Sequence, residues 1–192
     1  MKTSQQIMIV GLGQFGMALA RALSERGAEV LAVDLKKERV EEAAGFVSHA
    51  AALDGSNEAQ LAQLLPATRH AAVCAIGDAA REASIMCVAL LRQMGCPHIV
   101  ARANSQIHRR ILQMVGAHEI INPEQEFGRR FATRLLHRDI VADTALNGDL
   151  ELAEIRLPMK MAGKSLIELA LPRRYGLLGA AVRRGGGLLR PA

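Results

Sequence analysis

Three glycines near the start of the chain carry its most legible chemistry. In "IMIVGLGQFG" they fall at Gly11, Gly13 and Gly16, spaced G-x-G-x-x-G, with Leu12, Gln14 and Phe15 between them. At a strand-to-helix turn this spacing takes up a pyrophosphate. The first glycine allows the tight turn and the second lets backbone approach the phosphates. The third lets the helix pack closely on the sheet. Amides at the helix N-terminus then face the anion. Asp34 ends the next apolar run, 23 residues after Gly11. Its carboxylate suits both ribose hydroxyls and repels a 2′-phosphate, favouring NAD, ATP, ADP or AMP over NADP. Lys36 and Lys37, just past Leu35, soften that preference. The alternative reading is glycines that serve a tight turn and nothing else; the strand, helix and acid around them favour the nucleotide.

These residues need a scaffold, and the chain supplies a repeating one. Short apolar runs at 7–10, 29–34, 46–51, 71–76, 98–103 and 118–122 read as strands. Helical stretches separate them. The first carries Phe15, Leu19 and Leu23 on one face and stops near Gly27. "KKERVEEAA" is a charged surface helix, and "DGSNEAQLAQLL" a loop and helix with Pro66 past its end. A helix over 79–94 closes at Gly95. Another has Ser105 as N-cap and Gly116 as stop, and Pro123 opens a last one running to about 138. The alternation predicts an α/β, doubly wound (Rossmann-like) fold on a parallel six-stranded sheet. Ligands of such sheets sit at the carboxyl ends of the strands. That adds Asp54 and Gly55, then Ala75, Ile76 and Gly77, then Arg102 as a bidentate phosphate donor. Asp54 reads equally as a helix N-terminal acid, and Arg102 as half of a surface ion pair.

Composition narrows the class. No run of 18 apolar residues exists, so no membrane-spanning helix is expected. The first residues lack the marks of a secretory signal. Cys74, Cys87 and Cys96 are widely spaced and read as reduced, mostly buried thiols of a cytoplasmic protein. "HEIIN" has Asn122 where a zinc motif needs its second histidine, which argues against zinc. Residues 1–155 hold 16 Lys and Arg against 18 Asp and Glu, whereas 156–192 hold eight against one. The basic tail is dispersed, which favours a solvated surface over nucleic acid. A hydride-transfer enzyme needs an acid–base group beside its nicotinamide. The loops here are short, there is no Tyr-x-x-x-Lys pair, and the single tyrosine, Tyr175, falls outside the nucleotide fold. A small NAD-dependent oxidoreductase is therefore the second choice.

From 140 the texture changes. A linker over 140–149 holds the turn signal Asn147-Gly148. "ELAEIRL" alternates as a strand, "SLIELAL" reads as a short helix, and "GLLGAAVRR" and "LLRPA" flank Gly185-Gly186-Gly187 as a hairpin. This is expected to be part of a second domain.

"GLGQFGMALARALSERGAEVLAVD", "AAVCAIGDAAREASIMCVALLRQMG" and "HIVARANSQIHRRILQMVGAHEIINPEQEFGRRFA" together resemble the RCK/KTN (TrkA-N) domains of Ktr- and Trk-type potassium uptake systems. The distinctive marks are A-I-G after the fourth strand, A-R-A-N after the fifth and G-A-x-x-I-I-x-P-E before the last helix. The resemblance implies a TrkA-N domain over 1–139, the linker, and an incomplete RCK-C (TrkA-C) lobe over 150–192. It implies a cytosolic, non-enzymatic gating subunit that binds ATP, ADP or NAD(H). Such subunits form homodimers that assemble as an octameric ring beneath a membrane-embedded potassium-translocating subunit, with no nucleic acid involved. It places a divalent or monovalent cation at Glu124, otherwise a first-turn helix acid. It makes Phe127, Phe131 and Leu135 a dimer interface, otherwise ordinary core. Many members read a γ-phosphate with arginine in G-L-G-R-F-G, where this chain has Gln14.

Overall fold

Six of the apolar runs assemble into one parallel sheet in a computed structural model that describes residues 5–146, 150–184 and 187–189. The strands are β1 (Gln6–Val10), β2 (Glu29–Asp34), β3 (His49–Ala52), β4 (Ala71–Cys74), β5 (Ile99–Arg102) and β6 (Glu119–Ile121). Their spatial order is β3-β2-β1-β4-β5-β6, with every neighbouring pair parallel. This is the doubly wound order the alternation predicts.

The helices between them are α1 (Gln14–Glu25), α2 (Lys37–Ala44), α3 (Glu58–Ala62), α4 (Arg81–Gln93) and α5 (Gln106–Met114); α6 (Pro123–Leu136) follows β6. Successive residues of a strand face opposite sides of its sheet. Met8 and Val10 of β1 therefore join a core with Leu61, Val88, Leu91 and Leu112, from α3, α4 and α5. Ile9 joins the opposite core with Ala20 of α1 and Val40 and Ala43 of α2. Both faces of the sheet are covered, so β1 and β2 are buried almost throughout. The local signals match the sequence: Ser105 caps α5 by accepting from the His108 amide, and Gly95 and Gly116 follow α4 and α5 at positive φ.

One strand is displaced from its expected place. Phe46 and Val47 are not in β3, because both their amides donate to the Ala43 carbonyl and close α2. Their side chains pack into the α1–α2 core, with the Arg21 guanidinium 4.0 Å from the Phe46 ring centroid. The extended run begins at His49, where small residues pair with Leu31 to Asp34. The loop and helix expected in 54–65 are there, with Asp54 to Asn57 as a turn and the Asn57 side chain capping α3, but the helix ends at Ala62. β4 ends at Cys74, which leaves residues 75–77 free to form a loop.

The chain divides into two compact units, Met1–Gly128 and Arg129–Ala192. In the second, β7 (Ile140–Ala145) pairs antiparallel with β8 (Glu151–Ile155). The stretch read as a linker thus carries a strand over most of its length. Helices α7 (Leu166–Leu169) and α8 (Leu171–Tyr175) follow, the first opened by a capping box between Ser165 and Glu168. The expected hairpin is an antiparallel pair, β9 (Val182–Arg184) with β10 (Gly187–Leu189), shorter than the sequence suggested. Asn147-Gly148, Gly185-Gly186 and 190–192 lie outside the described residues.

Candidate functional site

The parallel sheet brings the loops after β1 to β5 to one edge. Each glycine of the first loop has a different physical reason. Gly11 sits at φ +100°, donates its amide to the Val33 carbonyl at 2.7 Å, and would place a Cβ 2.9 Å from the Ile76 nitrogen. Gly16 would place one 1.9 Å from the Gly11 carbonyl oxygen. Protein packing therefore explains both. A Cβ on Gly13 would meet nothing within 4 Å. The space over Gly13 is open, at the start of a 12-residue helix whose first turn no side chain caps. The amides of that turn are unspent donors beside a positive dipole end.

Asp34, at the end of β2, is 7% exposed and already engaged. Its Oδ2 accepts the Leu12 amide at 2.6 Å and Arg39 Nη1 at 3.3 Å, while Oδ1 accepts the Lys36 amide at 2.9 Å. The acid expected to hold a ribose thus also ties the glycine loop to β2. Leu12 and Phe15 pack in the α1–α2 core, whereas Gln14 is exposed. Leu35 stands out at 71% exposure, with Lys36 beside it.

The other loops close the edge. Asp54 Oδ1 accepts from the Ser56 hydroxyl at 2.6 Å and its amide at 2.9 Å. These bonds hold its carboxyl below the usual carboxylate range. Gly55 is buried, and a Cβ there would lie 2.4 Å from Val10 Cγ1, so the loop packs onto β1 only as glycine. The Ala75 amide donates to the Val10 carbonyl, setting Ile76 and Gly77 beside the glycine turn. Gly77 faces Arg102, whose Nη1 lies 3.6 Å from its notional Cβ. Arg102 is paired with Glu124 through Nη2, and its Nε is buried without a hydrogen-bond partner among the described residues. Glu124 is thus both a first-turn acid of α6 and an ion-pair partner.

The edge combines an open backbone cradle, an uncapped helix and an arginine with an unspent donor. That set fits a phosphate-bearing ligand. The chain matches the TrkA-N domain over residues 7–123. It belongs to the TrkA-N family. It is 34% identical over 191 residues to the Ktr system potassium uptake protein A of Vibrio alginolyticus, covering 99% of this chain and 86% of that one. It is 31% identical to the Ktr system potassium uptake protein C of Bacillus subtilis, covering 94% and 81%. A solved structure of the GsuK channel bound to NAD superposes with a TM-score of 0.63 at 21% identity, covering 99% of this chain and 35% of the channel.

Within this TrkA-N domain the sequence missed one neighbour of Asp34. Arg39 reads as a surface residue of a charged helix, yet it reaches back to the acid. The only signal is its place in the first turn of the helix that follows the strand. A groove of about 700 Å³ between α1 and α2 opens there, lined by Gly13, Gln14, Met17, Arg21 and Arg39 among others. Residues of α6 expected at an interface are solvent-exposed in the single chain, Phe127 at 59% and Leu135 at 65%, rather than core.

Proposed function

We propose that this chain is a nucleotide-sensing regulatory subunit of a potassium uptake system, binding ATP, ADP or NAD(H) without turnover. The observation that carries the reading is the glycine turn, where packing demands Gly11 and Gly16 but leaves Gly13 open to a ligand. Phosphates would lie over Gly11 to Gly16 and against Arg102. Asp34 would take the ribose, with Leu35, Lys36, Asp54, Gly55, Ala75, Ile76 and Gly77 walling the adenosine end. When bound, the nucleotide supplies negative charge and, in the triphosphate, a further phosphate to be read. At the phosphates this chain supplies backbone donors held by the glycine turn. Gln14 offers a neutral amide at the first turn of α1, weaker toward phosphate than a guanidinium.

Support for the potassium role comes from the Ktr relatives at 30% identity and above over nearly the whole chain. Among the described residues no helix is long and apolar enough to cross a membrane. A separate membrane-embedded subunit would then move the ion, with this chain at its cytoplasmic side. We further read the exposed Phe127, Phe131 and Leu135 as the contact of a homodimer that builds an octameric ring. A divalent or monovalent cation at Glu124 would draw its other ligands from the phosphates. Residues 150–192 would be part of an RCK-C lobe.

Two states that bind a nucleotide unequally are shifted by it, and only by that difference. The test is a thermal-shift panel of ATP, ADP, NAD and NADH beside an assay for nucleotide turnover. A ligand at 100 times its Kd raises stability by about 2.7 kcal/mol. The gain should appear with adenine nucleotides and vanish in Arg102→Gln. No shift with any of them would falsify the nucleotide reading.

A further inference from the structure

The bonds around Asp34 conflict with simple ribose recognition. A carboxylate offers about four lone-pair sites. Three are spent: Oδ2 on the Leu12 amide and Arg39, Oδ1 on the Lys36 amide. A ribose held through both hydroxyls needs two sites, so one present donor must leave. The two backbone donors are fixed, one by the glycine turn and one by the start of α2. Arg39 is the donor free to move: its contact is the longest at 3.3 Å, and its side chain is 41% exposed.

Displaced by a 2′-hydroxyl or drawn off its 3.3 Å contact by a 2′-phosphate, the guanidinium stays tethered in the first turn of α2, beside the ribose position. There its positive charge offsets that of Asp34, whose repulsion is what normally excludes a 2′-phosphate. It is also a bidentate donor suited to such a phosphate. Lys36 lies exposed next to it. Two acids, Glu25 and Glu42, line the same groove. Glu25 ends α1, away from the turn at Gly13, whereas Glu42 is three residues on from Arg39 on the same face of α2 and competes with a phosphate for its guanidinium.

We propose that Arg39 is a specificity-determining residue of the nucleotide site, admitting adenine nucleotides that carry a 2′-phosphate beside those with a free 2′-hydroxyl. The inference rests on the nucleotide reading above. It revises the expectation that Asp34 alone selects against NADP.

The test compares NADH and NADPH on the full chain by their own fluorescence, in wild type, Arg39→Ala and Arg39→Lys. Wild type should bind the two within about tenfold of each other. Arg39→Ala should weaken NADPH about tenfold or more, while NADH stays equal or tightens as Asp34 is freed; Arg39→Lys should retain part of the NADPH binding. Equal changes in both ligands, an unchanged ratio, or wild-type rejection of NADPH overturns the proposal while leaving the nucleotide reading intact. Absence of binding by NADH, NADPH, ATP and ADP alike overturns both.

Discussion

Gly16 and Gly13 are five and two residues from Gly11, but their substitutions should behave in opposite ways. Gly16→Ala drives a methyl into the Gly11 carbonyl at 1.9 Å and should destabilise the first unit by about 1–3 kcal/mol, read by chemical denaturation. Gly13→Ala meets open space, so the fold should keep its midpoint while nucleotide binding falls. An equal loss of stability in both would refute the distinction. Gln14→Arg should tighten ATP more than ADP, measured by calorimetry, because a guanidinium adds a charged donor for the last phosphate. At this scale the glycine pattern was legible, since spacing alone encodes a turn. The partners of Asp34 were not. Leu12 lies 22 residues before it and meets it only across paired strands, and Arg39 looks like any helix-surface arginine until the loop closes.

Elements were legible where periodicity and caps agreed. Ser105, Gly95, Gly116 and Pro123 mark helix ends in the sequence and in the structure. β3 was misplaced because Phe46 and Val47 look like strand residues, while the alanines that do pair look like helix. Packing decided the matter: the large side chains fill the α1–α2 core and the small ones suit the sheet edge. Gly55 owes its place to the opposite layer, against Val10 and Cys87, so Gly55→Ala should lower the melting temperature of the nucleotide-free chain. On α6, Phe131 is 43% exposed and belongs to the stripe read as a dimer contact. Phe131→Asp should shift the chain to monomers in sedimentation while the nucleotide-induced thermal shift persists. Unchanged oligomers would remove Phe131 from the interface.

The whole chain has two units, and the sequence distinguished them unevenly. The first announced itself through six repeats of one unit; the second has short strands, the first of which reads as a linker in the sequence. All three thiols, Cys74, Cys87 and Cys96, are buried in the first unit. Cys87, raised by its interaction with Cys74 and by burial, is held well above the usual thiol range, and burial also raises Cys96; Cys74 is shifted down by the same interaction, so two raised thiols stand against one lowered. The folded chain therefore keeps thiol protons that the unfolded chain loses above about pH 8.5, so stability should fall as pH rises beyond that point. Melting curves between neutral pH and pH 9.5 check the sign; replacing Cys87 and Cys96 with alanine should flatten the slope. The sole tyrosine, Tyr175, lies in the second unit, and the chain has no tryptophan. Each unit thus carries its own built-in reporter. A thiol reagent clocks the opening of the first, tyrosine emission follows the second, and a nucleotide's effect on each can be read separately without introducing a residue.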